Sequence, residues 1–179
     1  LLRGRYQEGL AFVNERIERH RHLEDPTLMN SLYETRARLL GALGQHEQAL
    51  EELETLEKSS STELADKSRM YQATFRAQLY AELGEFGQAW KVLQAAEELT
   101  QSERQSPTHR VALHLSQTYI ALLQNQPQQA LESSLSDKVN WQAIYETHAM
   151  YTNFLALRAL ALVELGRPGE ALPSSRGPG

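Results

Sequence analysis

The side chains with chemistry to offer are six histidines and the carboxylates near them. His20 and His22 stand two residues apart, which turns their imidazoles about 200° away from each other around a helix. They cannot hold one metal ion from a single face. Glu146 and His148 meet the same objection. His46 falls in a corner between helices. His114 falls on an inward helix position, where a hydrogen-bonded core histidine is the ordinary role. His109 completes the set. The chain has no cysteine, so it has no thiolate nucleophile, no disulfide and no cysteine metal site. No H-E-x-x-H, G-x-S-x-G, G-x-x-x-x-G-K-[ST] or G-x-G-x-x-G is present. The sequence asks for no catalytic residue, no metal and no cofactor. An enzyme would need a carboxylate or histidine pair brought together from distant segments. The reading is therefore a non-enzyme.

What the sequence does carry is a repeated arrangement of helices. Residues 69–99 read as two helices around the Leu83-Gly84 turn. Ala73, Ala77, Tyr80 and Leu83 give one apolar stripe at helical spacing, and Ala89, Trp90, Leu93 and Ala96 give a second. Gly84 ends the first helix at low steric cost because it accepts a positive φ. A glycine followed five residues later by alanine occurs at Gly44/Ala49 and again at Gly84/Ala89, a step of 40. It recurs at Asn125/Ala130 and at Gly166/Ala171, each a step of 41. Asn tolerates the left-handed conformation better than other non-glycine residues. Gly4 lies 40 before Gly44, with Gly9 in the alanine place. Ala37, Ala77 and Ala159 stand seven before the turn, with Thr118 in the third copy. A fixed period of this length marks a helical repeat array.

The pattern resembles the tetratricopeptide repeat, whose turn reads L-G-x-x-x-x-A after a helix A with a small residue at its eighth position. LLGALGQHEQALEELETLE, YAELGEFGQAWKVLQAAEEL and ALVELGRPGEAL carry the resemblance. The period of 40–41 exceeds the usual 34 of that family, and its proline after helix B is missing. Longer periods are similar to those of bacterial regulators of the maltose-activator type. The resemblance implies an all-α, right-handed superhelical solenoid of antiparallel helix pairs, with about four repeats and a partial first one.

The elements follow from this register. Residues 1–3 read as the stub of a helix A, Gly4 as its turn, and residues 5–21 as the helix B after it, with Leu10, Val13 and Ile17 inward. Pro26 opens the next helix. Helix pairs are expected at 27–43 and 46–58, at 63–83 and 86–99, and at 107–124 and 127–135. Ser61 or Thr62 and Ser106 are the caps. Residues 136–143 form a connection, with Trp141 near the start of a helix that buries Leu155, Ala159, Leu162 and Leu165. Glu51, Glu52, Glu54 and Glu57 form a solvated acidic face. The expected organisation is one array over residues 1–172, a fragment of a longer protein, with a disordered tail at 173–179.

Net charge and hydropathy set limits on partners. At −5 the chain lacks the basic balance of a nucleic-acid binder. No apolar run reaches membrane-spanning length and no signal sequence is evident, so a cytoplasmic protein is the plain reading.

By the resemblance, one helix from each repeat lines a concave wall. The matching positions are Ser31, Glu34 and Arg38, then Tyr71, Thr74 and Gln78, then Ala112, Leu115 and Tyr119, and lastly Asn153, Ala156 and Leu160. Glu34, Arg38, Tyr71, Thr74, Gln78, Tyr119 and Asn153 are the candidate binding residues, since Tyr and Arg carry binding energy when desolvated. Leu115 and Leu160 are expected to pack on a neighbouring helix A. A carboxylate clamp of the kind found in chaperone-binding members is not expected, because only Arg38 brings the needed charge. The implied function is a non-catalytic scaffold for a protein or peptide. The alternative is the sensor segment of a bacterial transcription or signalling regulator with its output domain elsewhere. End-to-end self-association through the outer repeats is a further expectation.

Overall fold

The computed structural model describes residues 2–22, 25–59, 65–100, 107–134 and 148–171. Among these the chain is all-α, and its helices pair around repeated turns. The helices are α1 (Leu2–His20), α2 (Pro26–Ala42), α3 (His46–Ser59), α4 (Ala65–Glu82), α5 (Phe86–Thr100), α6 (Pro107–Leu123), α7 (Pro127–Ser134) and α8 (His148–Glu164). A short 3-10 helix, Pro168–Glu170, comes after α8. The expected caps at Ser61, Thr62 and Ser106, the connection bearing Trp141 and the tail at 173–179 lie outside the described residues.

The turns stand where the repeat arithmetic places them. Gly44, Gly84 and Gly166 have φ of +80°, +78° and +71°, and Asn125 has φ +57°. Each turn is closed by the same two hydrogen bonds. The Gln45 amide donates to the Leu40 carbonyl at 2.9 Å while the Gly44 amide donates to Gly41 at 2.9 Å. The counterparts run from Glu85 to Tyr80, from Gln126 to Ala121 and from Arg167 to Leu162, at 2.8–2.9 Å. This is the Schellman arrangement, which satisfies two of the carbonyls left open at a helix end.

A Cβ built on Gly84 meets nothing within 4 Å, so only the backbone conformation disfavours a side chain there. Gly87 sits inside α5, in equally open space and without a positive φ. Gly84→Ala is therefore expected to cost about 1–2 kcal/mol. Gly87→Ala should instead be neutral or stabilise by about 0.5–1 kcal/mol. Urea denaturation of the two variants checks the pair, and equal effects would refute the turn assignment.

Gly4 departs from expectation, because α1 runs through it without a turn. A glycine inside a helix costs roughly 1 kcal/mol, which the remaining helical bonds absorb. Gly9 keeps a packing role: a Cβ there would come within 3.3 Å of the Leu39 side chain on α2.

The helices fall into two compact units, residues 1–72 and 73–179. In the first, α2 packs on both α1 and α3. Val13 and Ile17 of α1, Ala37 and Leu40 of α2, and Ala49, Leu53 and Leu56 of α3 are buried. Asp25 caps α2, its carboxylate accepting from the Leu28 amide at 3.0 Å, and Pro26 takes the first helical position.

In the second unit α6 packs on α5, α7 and α8, and α7 packs on α8. Ala121, Ala130, Leu131, Ala161 and Leu162 form one buried cluster, with Trp90, Leu122, Leu165 and Ala171 packed against it. The stripe on α8 departs from expectation. Phe154 is buried, whereas Leu155, expected inward, is exposed. Ala161 and Leu162 are buried with Phe154 on α8, and Leu155 shares a helix line with Leu162, seven residues on, yet stands open. Leu160, expected against a neighbouring helix, is exposed too. Leu115 is half-buried.

Candidate helix-A binding faces

The candidate residues divide between the two units. In the first unit Glu34 and Arg38 lie one turn apart on α2 and form an ion pair at 2.9 Å. Both side chains reach solvent, so the pair is worth little to stability and stays open to exchange with a ligand charge. Tyr71, on α4, is half-buried.

Beside this pair stands a stronger one. The Arg36 guanidinium grips Glu52 of α3 with two bonds, Nε to Oε2 at 3.0 Å and NH2 to Oε1 at 2.5 Å. Both partners are largely shielded, and Arg36 also lies 5.0 Å from the centre of the Tyr33 ring. A forked, partly desolvated Arg–carboxylate pair fixes geometry as well as charge. Glu52 is thus drawn out of the acidic face, which retains Glu51, Glu54 and Glu57 as exposed residues. Sequence spacing alone gives no sign of this pair, since its partners are sixteen residues apart. A signal is present in the repeat register: Arg36, Arg76 and Arg158 each stand eight residues before a turn glycine.

The first unit also holds a shallow cleft of ≈ 490 Å³ between α1 and the α2–α3 turn. Arg3, Gln7 and Asn14 of α1 line it, with Leu10, Leu43 and Gln45. Taking Gly4 for a turn hides the continuous face of α1 that makes this cleft.

In the second unit the candidates are held by neighbouring helices. Gln78 Nε2 donates to Ser116 Oγ at 3.0 Å, and that hydroxyl donates onward to the Ala112 carbonyl at 3.1 Å. The Tyr119 hydroxyl donates to the Glu82 carboxylate. Trp90 Nε1 donates to Gln124 Oε1 at 2.6 Å, tying α5 to the end of α6. Each of these inter-helix bonds links one repeat to the next. Gln78 and Tyr119 are half-buried, and Asn153 is exposed on α8. Thr74 lies beneath the surface at 5% exposure, so it backs this face from within. Leu123, one turn beyond Tyr119, is 41% exposed and adds an apolar patch.

His109 and His114 are buried, as the helical stripe implies for His114. Among the described residues no group of three His, Cys, Asp or Glu side chains is placed to hold a metal ion. None of their helices is long and apolar enough to cross a membrane. After the last turn, hydrogen bonding to Arg167 at 2.7 Å holds the Glu170 carboxyl below its ordinary range, and the same bond raises Arg167. This pair is fully exposed and marks the start of the short 3-10 helix.

Among known protein families, the tetratricopeptide repeat matches residues 32–55 and 153–174. No curated protein and no solved structure matches the chain. The two matched segments share one register, since each spans a helix A, its positive-φ glycine (Gly44 or Gly166) and the first residues after that turn. Gly84 and Asn125 repeat the turn between them. The chain thus carries the tetratricopeptide repeat motif at two positions within an all-α architecture of repeated helix pairs.

Proposed function

We propose that this chain is a non-catalytic scaffold that binds an extended peptide or a partner helix on its helix-A faces. One observation carries the reading. In the second unit Gln78 and Tyr119 are held by bonds to adjacent repeats, beside the exposed apolar Leu123. Polar groups fixed in advance next to an apolar patch lower the ordering cost of binding. An aromatic ring with a polar tip is a favoured anchor at such a surface. Asn153 extends the polar lining along α8, and Thr74 supports it from below. In the first unit Glu34, Arg38 and Tyr71 offer a charged pair and an aromatic ring for the same purpose.

The test uses a peptide selected from a random library against the whole chain. Tyr119→Ala is expected to weaken that peptide by roughly tenfold or more, a loss of about 1.4 kcal/mol, with helicity unchanged. Tyr71→Ala reports the first unit in the same way. Fluorescence anisotropy measures both. Wild-type affinity in both variants would remove the helix-A assignment.

The 40–41-residue period supports a second reading, in which the same faces belong to the sensor segment of a regulator. That reading needs the same binding surface and differs only in what the binding event controls.

A further inference from the structure

The helix-A ends of the second unit stand in one register. Glu82, Leu123 and Glu164 each come two residues before a turn residue, and each is the last residue of its helix, α4, α6 or α8. Six residues before the same turns stand Gln78, Tyr119 and Leu160. The bonds from Gln78 to Ser116 and from Tyr119 to Glu82 place α6 beside α4, and α8 packs on α6. Glu82, Leu123 and Glu164 are all exposed. Leu123 is open although α4 and α8 both stand beside α6, so its exposure comes from its place at the helix end and not from an absent neighbour.

The charges on this face have one sign. Glu82 and Glu164 are the charged residues among the wall positions of the second unit and the two rows just named. The Tyr119 hydroxyl bonds to Glu82 as a neutral donor, which leaves the carboxylate its charge and further acceptor sites. Glu85, across the α4 turn, is exposed and adds to the negative side. Arg167, three residues after Glu164, is already forked on Glu170. Arg76 and Arg158 stand about 200° round their helices from Gln78 and Leu160, each with its Nε buried. The ends of α4, α6 and α8 also carry the negative pole of the helix dipole. In the first unit the same two rows hold Ala42 and Arg38, and Arg38 pairs with Glu34. The single sign therefore belongs to the second unit and not to the repeat as such. Between the two glutamates lies apolar ground, Leu123 and the Tyr119 ring one turn below it.

We infer that this face takes an extended peptide in which a large apolar residue is flanked on each side by a lysine or arginine. The inference rests on the helix-A binding reading and names the ligand class for it. The apolar side chain lies on Leu123 and the Tyr119 ring, one cation meets Glu82 beside that ring, and the other meets Glu164. Packed helices stand about 8–10 Å apart, and an extended chain advances about 3.3 Å per residue. Crossing from α4 to α6 to α8 thus takes about three residues per step, which sets the spacing from cation to apolar residue to cation. An acidic peptide of the same spacing would place like charges against both glutamates.

Selection from a random peptide library on the whole chain tests the motif, and fluorescence anisotropy tests the residues. The selected pool is expected to be enriched in lysine or arginine about three positions before and after a leucine, phenylalanine or methionine. Replacing both cations of a selected peptide by glutamine should weaken it roughly tenfold at about 0.05 M salt, and added salt should narrow the difference. Glu82→Gln and Glu164→Gln should each cost the basic peptide roughly three- to fivefold, and leave its glutamine analogue within about twofold. Glutamine keeps an acceptor for the Tyr119 hydroxyl, so Glu82→Gln removes charge alone, and circular dichroism verifies that both variants keep their helices. An acidic or uncharged pool that Tyr119→Ala no longer binds would overturn this inference and leave the helix-A reading standing. So would a basic pool that both glutamine variants bind as the wild type does, or one lost through Tyr71→Ala alone. Peptides indifferent to Tyr71→Ala and Tyr119→Ala, or a library that yields no binder, would overturn the two together.

Discussion

Phe154→Ala is expected to destabilise the second unit by about 3–5 kcal/mol. Phe154 is 2% exposed, and among the described residues it is the largest of the fully buried side chains. It lies on α8, which packs on α6 and α7 and contributes Ala161 and Leu162 to the core cluster. Truncating the ring removes its transfer free energy and leaves a cavity that rigid helices fill only in part. Urea unfolding followed by far-ultraviolet circular dichroism measures the loss. A cost below about 1 kcal/mol would mean that the ring is not enclosed as the structure has it.

The second large effect runs in the opposite steric direction. Ala77→Leu is expected to cost about 1–3 kcal/mol through overpacking. Ala77 has no exposed surface, and its counterparts Ala37 and Thr118 are equally enclosed. A small residue is required there because another helix crosses over the backbone, and a leucine must push that helix away or leave its rotamer. Ala159, the fourth member of the set, is only half-buried. Ala159→Leu should therefore cost clearly less than Ala77→Leu in the same urea titration. Equal costs would mean that position 159 is covered as fully as position 77.

These two substitutions also mark which parts of the fold were legible in the sequence. A turn that needs a positive φ restricts residue choice locally, so glycines at 44, 84 and 166 and the asparagine at 125 could be placed by counting. Gly4 could not, because a glycine also sits within a helix at modest cost, and α1 runs on through it. The alanines at 37 and 77 and Thr118 were legible because close helix approach excludes large side chains. Leu155 was misread for the converse reason. It is apolar and on one helix line with the buried Leu162, but periodicity gives the face and not how far along the helix the neighbours cover it.

The binding faces were less legible than the scaffold. The repeat register located Gln78 and Tyr119 on helix A but could not show that Ser116 and Glu82 hold them. Such bonds join residues 37 or 38 apart, and many polar pairs share that separation. Thr74 lies under the surface for a related reason: the wall positions follow from helix phase, whereas depth depends on the neighbouring helix. The fork between Arg36 and Glu52 was hidden because a glutamate run looks the same whether or not one member turns inward. The tenfold loss expected for Tyr119→Ala therefore rests on contacts that only the folded chain displays.

The most direct measurement for the binding reading is amide chemical-shift mapping of the isotope-labelled chain during titration with the selected peptide. The shifts are expected to concentrate on helix A residues, with Gln78, Tyr119 and Leu123 among the largest and the α5 and α7 amides nearly still. Tyr119→Ala is expected to abolish the pattern at the same peptide concentration. Shifts centred instead on the cleft around Gln7, Asn14 and Gln45, or a pattern unchanged by Tyr119→Ala, would contradict binding on the helix-A faces.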